Sequence, residues 1–466
     1  MDNFYYFLLI FDYFAVFYFF LVNGTYIFLN FKAFFSIKNY WSSIEILDFE
    51  NPFQSEFYKP VSIIIPAYNE ELTIVDNIIS ILALKYPEFE VVVVNDGSKD
   101  GTIAELKDKF NLVESSRNYR KDINTQPVKM VYDSLDYPSL VVVDKENGGK
   151  ADALNAGINV AQFPLVCNVD ADSLIDDQAL LKIVEPFSRD WRVIAAGGTI
   201  RVANDCDIRG GQVKKVNLSK KPIVRFQVLE YLRAFLFGRV GWAAVESLLI
   251  ISGAFGVFKR KHLLKVNGYS TKTVGEDMEL VLKLNKHMRK SDRDYKVLFY
   301  PDPVCWTQVP EDYGTLSSQR RRWQRGLGQS LMMNKELFFN KDYGLLGMFS
   351  YPFYFFVELL GPIIETLGYL SIFLTVIIRG GVNEVVILFF ITAILMGVLL
   401  SIISLFFEEM TFHKYSKLSD KLTLVFYAFL ENFGYRQLHT IWRLRGLFDY
   451  FSKKESWGSQ KRKRFD

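Results

Sequence analysis

Of 466 residues only three are cysteine, Cys167, Cys206 and Cys305, and no two stand as a CxxC pair. That spacing excludes a cysteine zinc site and argues against a disulfide framework, and the three thiols read as small buried hydrophobes in a reducing compartment. The four histidines, His262, His287, His413 and His439, do not cluster in the sequence. Charge of one sign is scarce too. The 55 lysines and arginines face 52 aspartates and glutamates, and the net of +3 is too small to imply a nucleic-acid partner. Neither a G-x-G-x-x-G nor a G-x-x-x-x-G-K-[ST] loop occurs, which disfavours dinucleotide-binding and P-loop folds. Internal repeats and long low-complexity tracts are missing as well.

What the chain has in abundance is apolar surface: 50% of residues are hydrophobic and 42 are phenylalanine. These residues concentrate in 5–31 and again after 343, and the stretch between reads like a charged, soluble protein. A cytoplasmic domain held between membrane helices is the expected arrangement. Residues 5–31 exceed a signal-peptide core, follow a non-basic Met1–Asp2–Asn3 and carry no small-residue cleavage site, so they read as an anchor. As a helix they reach roughly 40 Å, enough to cross a bilayer with tilt. Asp12 and Asn23 then need partners inside the membrane. The sequon Asn23-Gly24-Thr25 lies within the span and is set aside.

Short apolar runs in the middle of the chain each stop at a polar cluster. Val61–Pro66, Phe89–Asp96, Leu140–Asp144 and Leu165–Asp170 read as strands buried on both faces, with Val193–Ile200 a fifth. Helical patterns at 70–84, 101–110 and 150–161 alternate with them, which predicts a parallel α/β sheet. Residues 205–221 read as a polar loop. Over 223–251, Phe226, Leu229, Leu232, Leu236 and Val240 recur at helical spacing among arginines, as in a helix on the membrane interface or one packed on the domain. The apolar stretch from Gly344 to Arg379 is one kinked span, or a re-entrant piece plus a span. Val385–Phe407 is a span, and 421–433 is either a third or an interfacial helix.

In open α/β sheets, ligands bind beyond the carboxyl ends of the strands. Here those ends carry Ala67-Tyr68-Asn69-Glu70-Glu71, Asn95-Asp96-Gly97-Ser98 and Asp170-Ala171-Asp172. Each cluster alone is an ordinary turn or helix cap; three on one sheet edge point to a site. Asp170 and Asp172 can face one hard divalent cation, Mg²⁺ or Mn²⁺, that bridges to substrate phosphates and neutralises a diphosphate leaving group. Asn147-Gly148-Gly149-Lys150 opens a helix where backbone can approach closely and Lys150 can meet phosphate or the nearby carboxylates. Gly275-Glu276-Asp277 precedes another helix, an arrangement that by itself is a dipole complement. Gln319-Arg320-Arg321-Arg322-Trp323 is a basic run with one aromatic, either an interfacial helix end or a platform for a sugar.

In this order and spacing, IPAYNEE, VVNDGSKDGT, ENGGKADALNAG, DAD, SGAFG, GED and QRRRW resemble family 2 of the inverting glycosyltransferases over residues 61–326. QRRRW fits the QxxRW pattern of the membrane-bound, mostly processive branch, the synthases of cellulose, chitin, hyaluronan and poly-N-acetylglucosamine. The resemblance implies an α/β domain of the GT-A fold flanked by transmembrane α-helices. Its parts are a helix at 1–35, a connector at 36–60, a cytoplasmic catalytic domain with interfacial helices at 61–343, transmembrane and interfacial helices at 344–447, and a basic tail at 448–466. It implies that Ala67, Tyr68, Glu70 and Asp96 hold uracil and ribose and that Lys150 and Asp170 contact the UDP. Asp172, with Asp170, takes Mg²⁺ or Mn²⁺. Asp277 is the general base, Gln319, Arg322 and Trp323 bind pyrophosphate and acceptor sugar, and Ser252 and Gly253, in the turn Ser252–Gly256, line the acceptor site.

The implied partners are a UDP-sugar donor, a saccharide or lipid-linked acceptor and the lipid bilayer of the cell membrane, with no nucleic acid. The implied reaction is a single in-line displacement that inverts α to β. GED stands where cellulose synthases typically have TED, and no cyclic-dinucleotide-binding extension is recognisable. Both points favour UDP-GlcNAc over UDP-glucose. A non-processive transferase acting once on a lipid-linked acceptor shares the same donor site. An inactive membrane scaffold is disfavoured by the intact DAD and GED aspartates.

Overall fold

Valine and isoleucine are stiff at their first side-chain torsion and pack well on a pleated surface, so their runs form the middle of a sheet. The computed structural model describes residues 2–44, 58–291 and 294–452. Its strands are β1 (Val61–Ala67), β2 (Phe89–Asp96), β3 (Leu112–Glu114), β4 (Val128–Ser134), β5 (Leu140–Lys145), β6 (Leu165–Val169), β7 (Ser173–Ile175), β8 (Val193–Val202), β9 (Asp207–Arg209), β10 (Gln212–Lys215), β11 (Phe255–Lys259) and β12 (Lys296–Thr307). Ten of them make one sheet in the order β3-β4-β5-β2-β1-β6-β11-β8-β12-β7. The expected runs are β1, β2, β5, β6 and β8, and the α/β class holds.

The sheet is mixed, however, and not parallel as the strand–helix alternation predicted. β1, β2, β5 and β6 pair parallel, whereas β4 pairs antiparallel with β5, and β11 antiparallel with both β6 and β8. The reason for β11 lies in where its chain comes from. β8 ends on the ligand edge, the polypeptide makes a helical excursion over 222–244, and it re-enters the sheet from that same edge. It therefore runs backwards and starts its strand beside the end of β6. Residues 205–221, read as a loop, contain the small hairpin β9–β10.

The N-terminal helix α1 (Asp2–Ile44) continues past the expected end at residue 35. Its last turns are held by aromatic contacts, Tyr40 with Tyr300 at 5.1 Å and Trp41 with Phe412 at 6.1 Å. The two residues expected to need partners inside the membrane, Asp12 and Asn23, have them. Asp12 accepts from Ser371 Oγ and Thr375 Oγ1 at 2.5 and 2.6 Å, and Asn23 donates to the carbonyl of Thr392 at 2.9 Å. The rest of the 36–60 connector, residues 45–57, and the tail beyond Ser452 lie outside the described residues.

Helices α2 (Ile74–Leu82), α3 (Thr102–Lys109) and α4 (Lys150–Val160) follow the expected pattern, and α5 (Ala179–Arg189) is an additional helix before β8. α6 (Pro222–Glu230) runs through a π-helical segment, Tyr231–Gly238, into α7 (Arg239–Ala244). Phe226, Leu229, Leu232, Leu236 and Val240 are all buried, so this helix is packed rather than lying bare on an interface. α8 (Arg260–Lys265), α9 (Glu276–Lys290) and α10 (Tyr313–Met333) complete the central domain.

Beyond Tyr343 a π-rich helix around α11 (Tyr351–Phe353) ends at Leu359, and α12 (Gly361–Arg379) starts anew with Pro362 in its first turn. The 344–379 stretch is thus two pieces. α13 (Glu384–Phe389) continues through a π segment into α14 (Met396–Thr411). Phe4–Ser42, Gly361–Arg379 and Glu384–Thr411 are long and apolar enough to cross a membrane. α15 (Leu418–Leu430) has 13 residues, too few to span. α16 (Tyr435–Phe451) turns back onto α10, where Arg321 holds Asp449 through two bonds of 2.8 and 2.9 Å.

Candidate active site

The loops after β1 and β2 are zipped together by side-chain-to-backbone bonds. Asn69 adopts a left-handed φ of +56°, a conformation asparagine tolerates well. Its Oδ1 accepts from Lys99 N at 2.8 Å while its own N–H donates to Ser98 Oγ at 3.0 Å. Glu71 accepts from Gly101 N at 2.8 Å. Glu70 is buried, with its N–H on Thr102 Oγ1 and its carboxylate accepting from Thr73. Ala67 is enclosed at the strand end and Tyr68 stands exposed at the mouth.

Asp96 has a different setting from the one expected of a nucleotide ligand alone. Its carboxylate accepts from the fully buried Lys145 Nζ at 2.6 Å, from Gly148 N at 3.0 Å and from Gly149 N at 2.8 Å. Lys145 also meets Asp152 at 2.6 Å. A buried ion pair is tolerable when its spare hydrogen-bonding capacity is filled, as here. Asp96 therefore shapes the turn that begins α4 and so fixes where Lys150 stands.

Lys150 pairs directly with Asp170, at the end of β6, with Asp172 two residues on. Burial works against the Lys150 ammonium, but the fields of Asp170 and Glu276 outweigh it, and its pKa lies above the ordinary lysine value. From the far side, β11's entry turn brings the Gly253 N–H to 3.3 Å from Asp277 Oδ2, and Asp277 Oδ1 takes the N–H of Met278 at 2.8 Å. Neighbouring Glu276 is buried. Burial and then the charge of Asp277 push its carboxyl up to about 7, against the pull of Lys150. On sequence grounds Glu276 is the alternative to Asp277 as the base, should Asp277→Asn keep near-normal turnover.

The three consecutive arginines of QRRRW point to three places. Arg320 is 2% exposed and pairs with Glu230 at 2.8 Å, donates to Gln319 Oε1 at 2.5 Å and covers the Trp323 ring at 4.2 Å. Arg321 faces α16, and Arg322 lines the site with Gln319 and Trp323. Trp323 meets Phe235 edge-on at 5.8 Å. α10 is held against the start of α9 at a glycine pair. A Cβ on Gly275 would lie 2.8 Å from the Gly326 carbonyl oxygen, and one on Gly326 would lie 2.9 Å from Gly275 Cα. Only two glycines allow that approach. Ser330 Oγ, donating to Gly275 O at 2.9 Å, and Gln329 Oε1, accepting from Val274 N at 3.0 Å, fasten the contact.

One cavity of about 1490 Å³ is lined by all the expected site residues: Ala67, Tyr68, Glu70, Asp96, Lys150, Asp170, Asp172, Ser252, Gly253, Asp277, Gln319, Arg322 and Trp323. The same cavity runs on between the helices past Tyr26, Arg239, Glu358 and Arg443. Arg443 holds Glu358 at 3.1 Å there, and Glu365 accepts from Thr440 at 2.7 Å. Among the described residues no group of three or more His, Cys, Asp or Glu side chains is arranged to hold a metal. The Asp170/Asp172 pair offers two hard oxygen ligands, the number a Mg²⁺ uses when substrate phosphates and water complete its shell.

Comparison with known proteins follows this geometry. The glycosyl transferase family group 2 model matches residues 165–407, and the glycosyl transferase family 2 model matches residues 62–232. The chain is 30% identical over 267 residues to a poly-beta-1,6-N-acetyl-D-glucosamine synthase of Staphylococcus epidermidis, covering 57% of this chain and 54% of that protein. It is 30% identical over 269 residues to the synthase of the same name from Staphylococcus aureus, with the same shares covered. The chain thus spans about half the length of the curated relatives it matches. Among solved structures, the mannosyltransferase PcManGT from Pyrobaculum calidifontis, in complex with GDP-Man and Mn²⁺, aligns with 94% of this chain and 100% of that chain at 19% identity and a TM-score of 0.49.

Proposed function

The chain belongs to glycosyl transferase family group 2, and from that premise we propose that it is an inverting enzyme that extends a β-linked saccharide at the membrane, with UDP-GlcNAc as preferred donor over UDP-glucose. The observation that carries this reading is the single cavity. It joins the acidic sheet edge to the QRRRW helix and then to a polar passage among the membrane helices. A binding module needs only the first part; an enzyme that keeps hold of a growing chain needs all of it. The name of the Staphylococcus relatives supports N-acetylglucosamine as the sugar.

In this reading the mouth residues Ala67, Tyr68 and Glu70 hold the nucleoside, and Asp96 supports them through the turn it binds. Lys150 meets the diphosphate, and Asp170 and Asp172 would hold Mg²⁺ or Mn²⁺. Such a cation neutralises charge on the departing UDP. Asp277 takes the proton of the acceptor hydroxyl; the Gly253 N–H steers its carboxylate toward the acceptor turn. Gln319 and Arg322 face the pyrophosphate through charge-assisted bonds. Trp323, clamped between Arg320 and Phe235, offers a flat partner to the apolar face of a sugar.

Residues 61–343 form the catalytic unit and face the cytoplasm, where nucleotide sugars are made. Two spans after it, within 361–411, return the chain to that side. The test is purified protein in nanodiscs with a panel of UDP-sugars and mass analysis of the products. A ladder of products from UDP-GlcNAc supports the reading. A single addition to a lipid-linked acceptor overturns processivity, and no transfer from any UDP-sugar overturns the enzyme assignment.

A further inference from the structure

Arg239 is the first residue of α7, directly after the π-helical segment, and it is 6% exposed. It lines the cavity. Other buried or half-buried guanidinium groups face carboxylates: Arg201 holds Glu408 at 2.8 and 2.9 Å, Arg320 holds Glu230 at 2.8 Å, and Arg233 holds Glu431 at 2.6 Å. Arg239 makes no hydrogen bond and no ion pair among the described residues, and its Nη1 is buried without a partner. A buried, unpaired charge is destabilising, because its hydration is lost and nothing replaces it. Guanidinium does not escape by giving up its proton.

The contacts it does make are with rings. It lies over Phe235 at 4.3 Å and near Phe299 at 5.9 Å. Phe235 in turn meets Trp323 edge-on, and Arg320 covers the Trp323 ring. Arg239, Phe235, Trp323 and Arg320 thus form one continuous row of cation–ring and ring–ring contacts lining the cavity. Burial lowers the pKa of Arg239, and the field of Asp277, the largest opposing one, offsets only part of that. Asp277 thus supplies a partial counter-charge without a contact, and what the group lacks is hydrogen-bond acceptors within reach. A second anion placed there would crowd Asp277. Neutral oxygens, as on a saccharide, fit both conditions.

On the glycosyltransferase reading above, we propose that Arg239 belongs to the acceptor subsite and donates hydrogen bonds to the hydroxyl or amide oxygens of the acceptor's terminal sugar, while the adjoining aromatic stack supports the sugar's apolar face. The acceptor completes the hydrogen bonding of a guanidinium that the protein itself leaves open. This cost is retained in the free enzyme so that acceptor binding can use it.

The experiment compares wild type with Arg239→Met, which keeps the stem on Phe235, and Arg239→Lys, which keeps the charge without the planar fork. Each is assayed in nanodiscs with UDP-GlcNAc and a β-linked N-acetylglucosamine tetrasaccharide. For Arg239→Met the tetrasaccharide KM should rise about 10- to 100-fold. UDP affinity should stay within about twofold, and the melting temperature without acceptor should be equal or higher. Arg239→Lys should show the same split at smaller size, which covers failure of the methionine variant to fold. An unchanged tetrasaccharide KM overturns the proposal. So does parallel loss of UDP affinity, which would make Arg239 a pyrophosphate ligand, or lost use of a lipid-diphosphate acceptor alone, which would make it a phosphate ligand. A lower melting temperature with no acceptor-specific change would make it structural. Should wild type transfer no sugar at all, the enzyme reading fails separately, and tetrasaccharide-induced thermal stabilisation of wild type but not Arg239→Met still decides the subsite.

Discussion

Gly275→Ala adds one carbon at the tightest point between the two helices that carry Asp277 and the QRRRW run. That Cβ would stand 2.8 Å from the Gly326 carbonyl oxygen, and the other nearest atoms, at 2.9 and 3.0 Å, also belong to the Gly326 backbone. No flexible side chain can swing away, so backbone must move. Restoring an ordinary contact of about 3.4 Å requires a shift of roughly 0.6 Å between α9 and α10. Overpacking of this kind costs about 1–3 kcal/mol. The larger effect falls on turnover, because Asp277 then moves relative to Gln319, Arg322 and Trp323. Misplacement by about 1 Å can cost on the order of 100-fold, so kcat should fall about 10- to 100-fold for alanine and further for threonine. UDP affinity should fall less than kcat, since Lys150 on α4 and Asp170 just past β6 stay in place while Gln319 and Arg322 move with α10. Gly326→Ala should reproduce the defect, and the double variant should lose less than the two single losses combined, because one separation relieves both contacts. The assay is steady-state kinetics with UDP titration and a thermal melt on each variant. Wild-type kcat and melting temperature in Gly275→Ala would refute the reasoning. The contact also bears on the GED motif. A glycine there is explained by helix packing, which removes its value as a pointer to the sugar.

Asp277→Asn keeps the shape of the side chain and removes its basicity, and turnover should fall about 10²- to 10⁴-fold with UDP binding close to normal; joint loss of both would mark it as a donor ligand. Chelation should abolish turnover and Mg²⁺ or Mn²⁺ should restore it, with full activity in excess chelator counting against the Asp170/Asp172 site. Glu276 gives a pH signature. Its carboxyl is pushed up to about 7 in the folded protein, so the native state holds this proton more tightly than the unfolded chain does. Stability from this group is full below the ordinary carboxylate range and is lost as pH rises to about 7. The melting temperature of wild type should therefore decline between pH 5 and 7.5, and Glu276→Gln should decline less; identical slopes would remove Glu276 as the cause.

The site edge was legible because its ligands follow strands whose composition is itself a strong local signal. VSIIIP and FEVVVVND leave little choice but buried strands, and the polar residues just past them must then share an edge. The antiparallel β11 was not legible in that way: FGVFK is five residues long, and its direction depends on the preceding excursion returning to the ligand edge. The role of Asp96 in binding the 145–149 turn depends on Lys145, which the sequence shows only as one more lysine after a valine run. In the sequence Arg239 is one of the arginines interleaved with the apolar residues of 223–251. Its isolation is a property of what fails to come near it, and no local pattern reports that.

From the sequence alone came the α/β class, the membrane segments flanking the domain, and the motif residues that line one cavity. These rest on runs and spacings within a few turns or one strand, where covalent neighbours and side-chain period settle the outcome. The tertiary structure alone decided the mixed sheet, the break at Gly361 between two helical pieces, the partners of Asp12 and Asn23, and the three directions taken by Arg320, Arg321 and Arg322. Each of those depends on distances between segments up to hundreds of residues apart, as Asp12 and Thr375 show. Burial, field and hydrogen-bond partners are set by such distances, and they become defined only once the chain has folded.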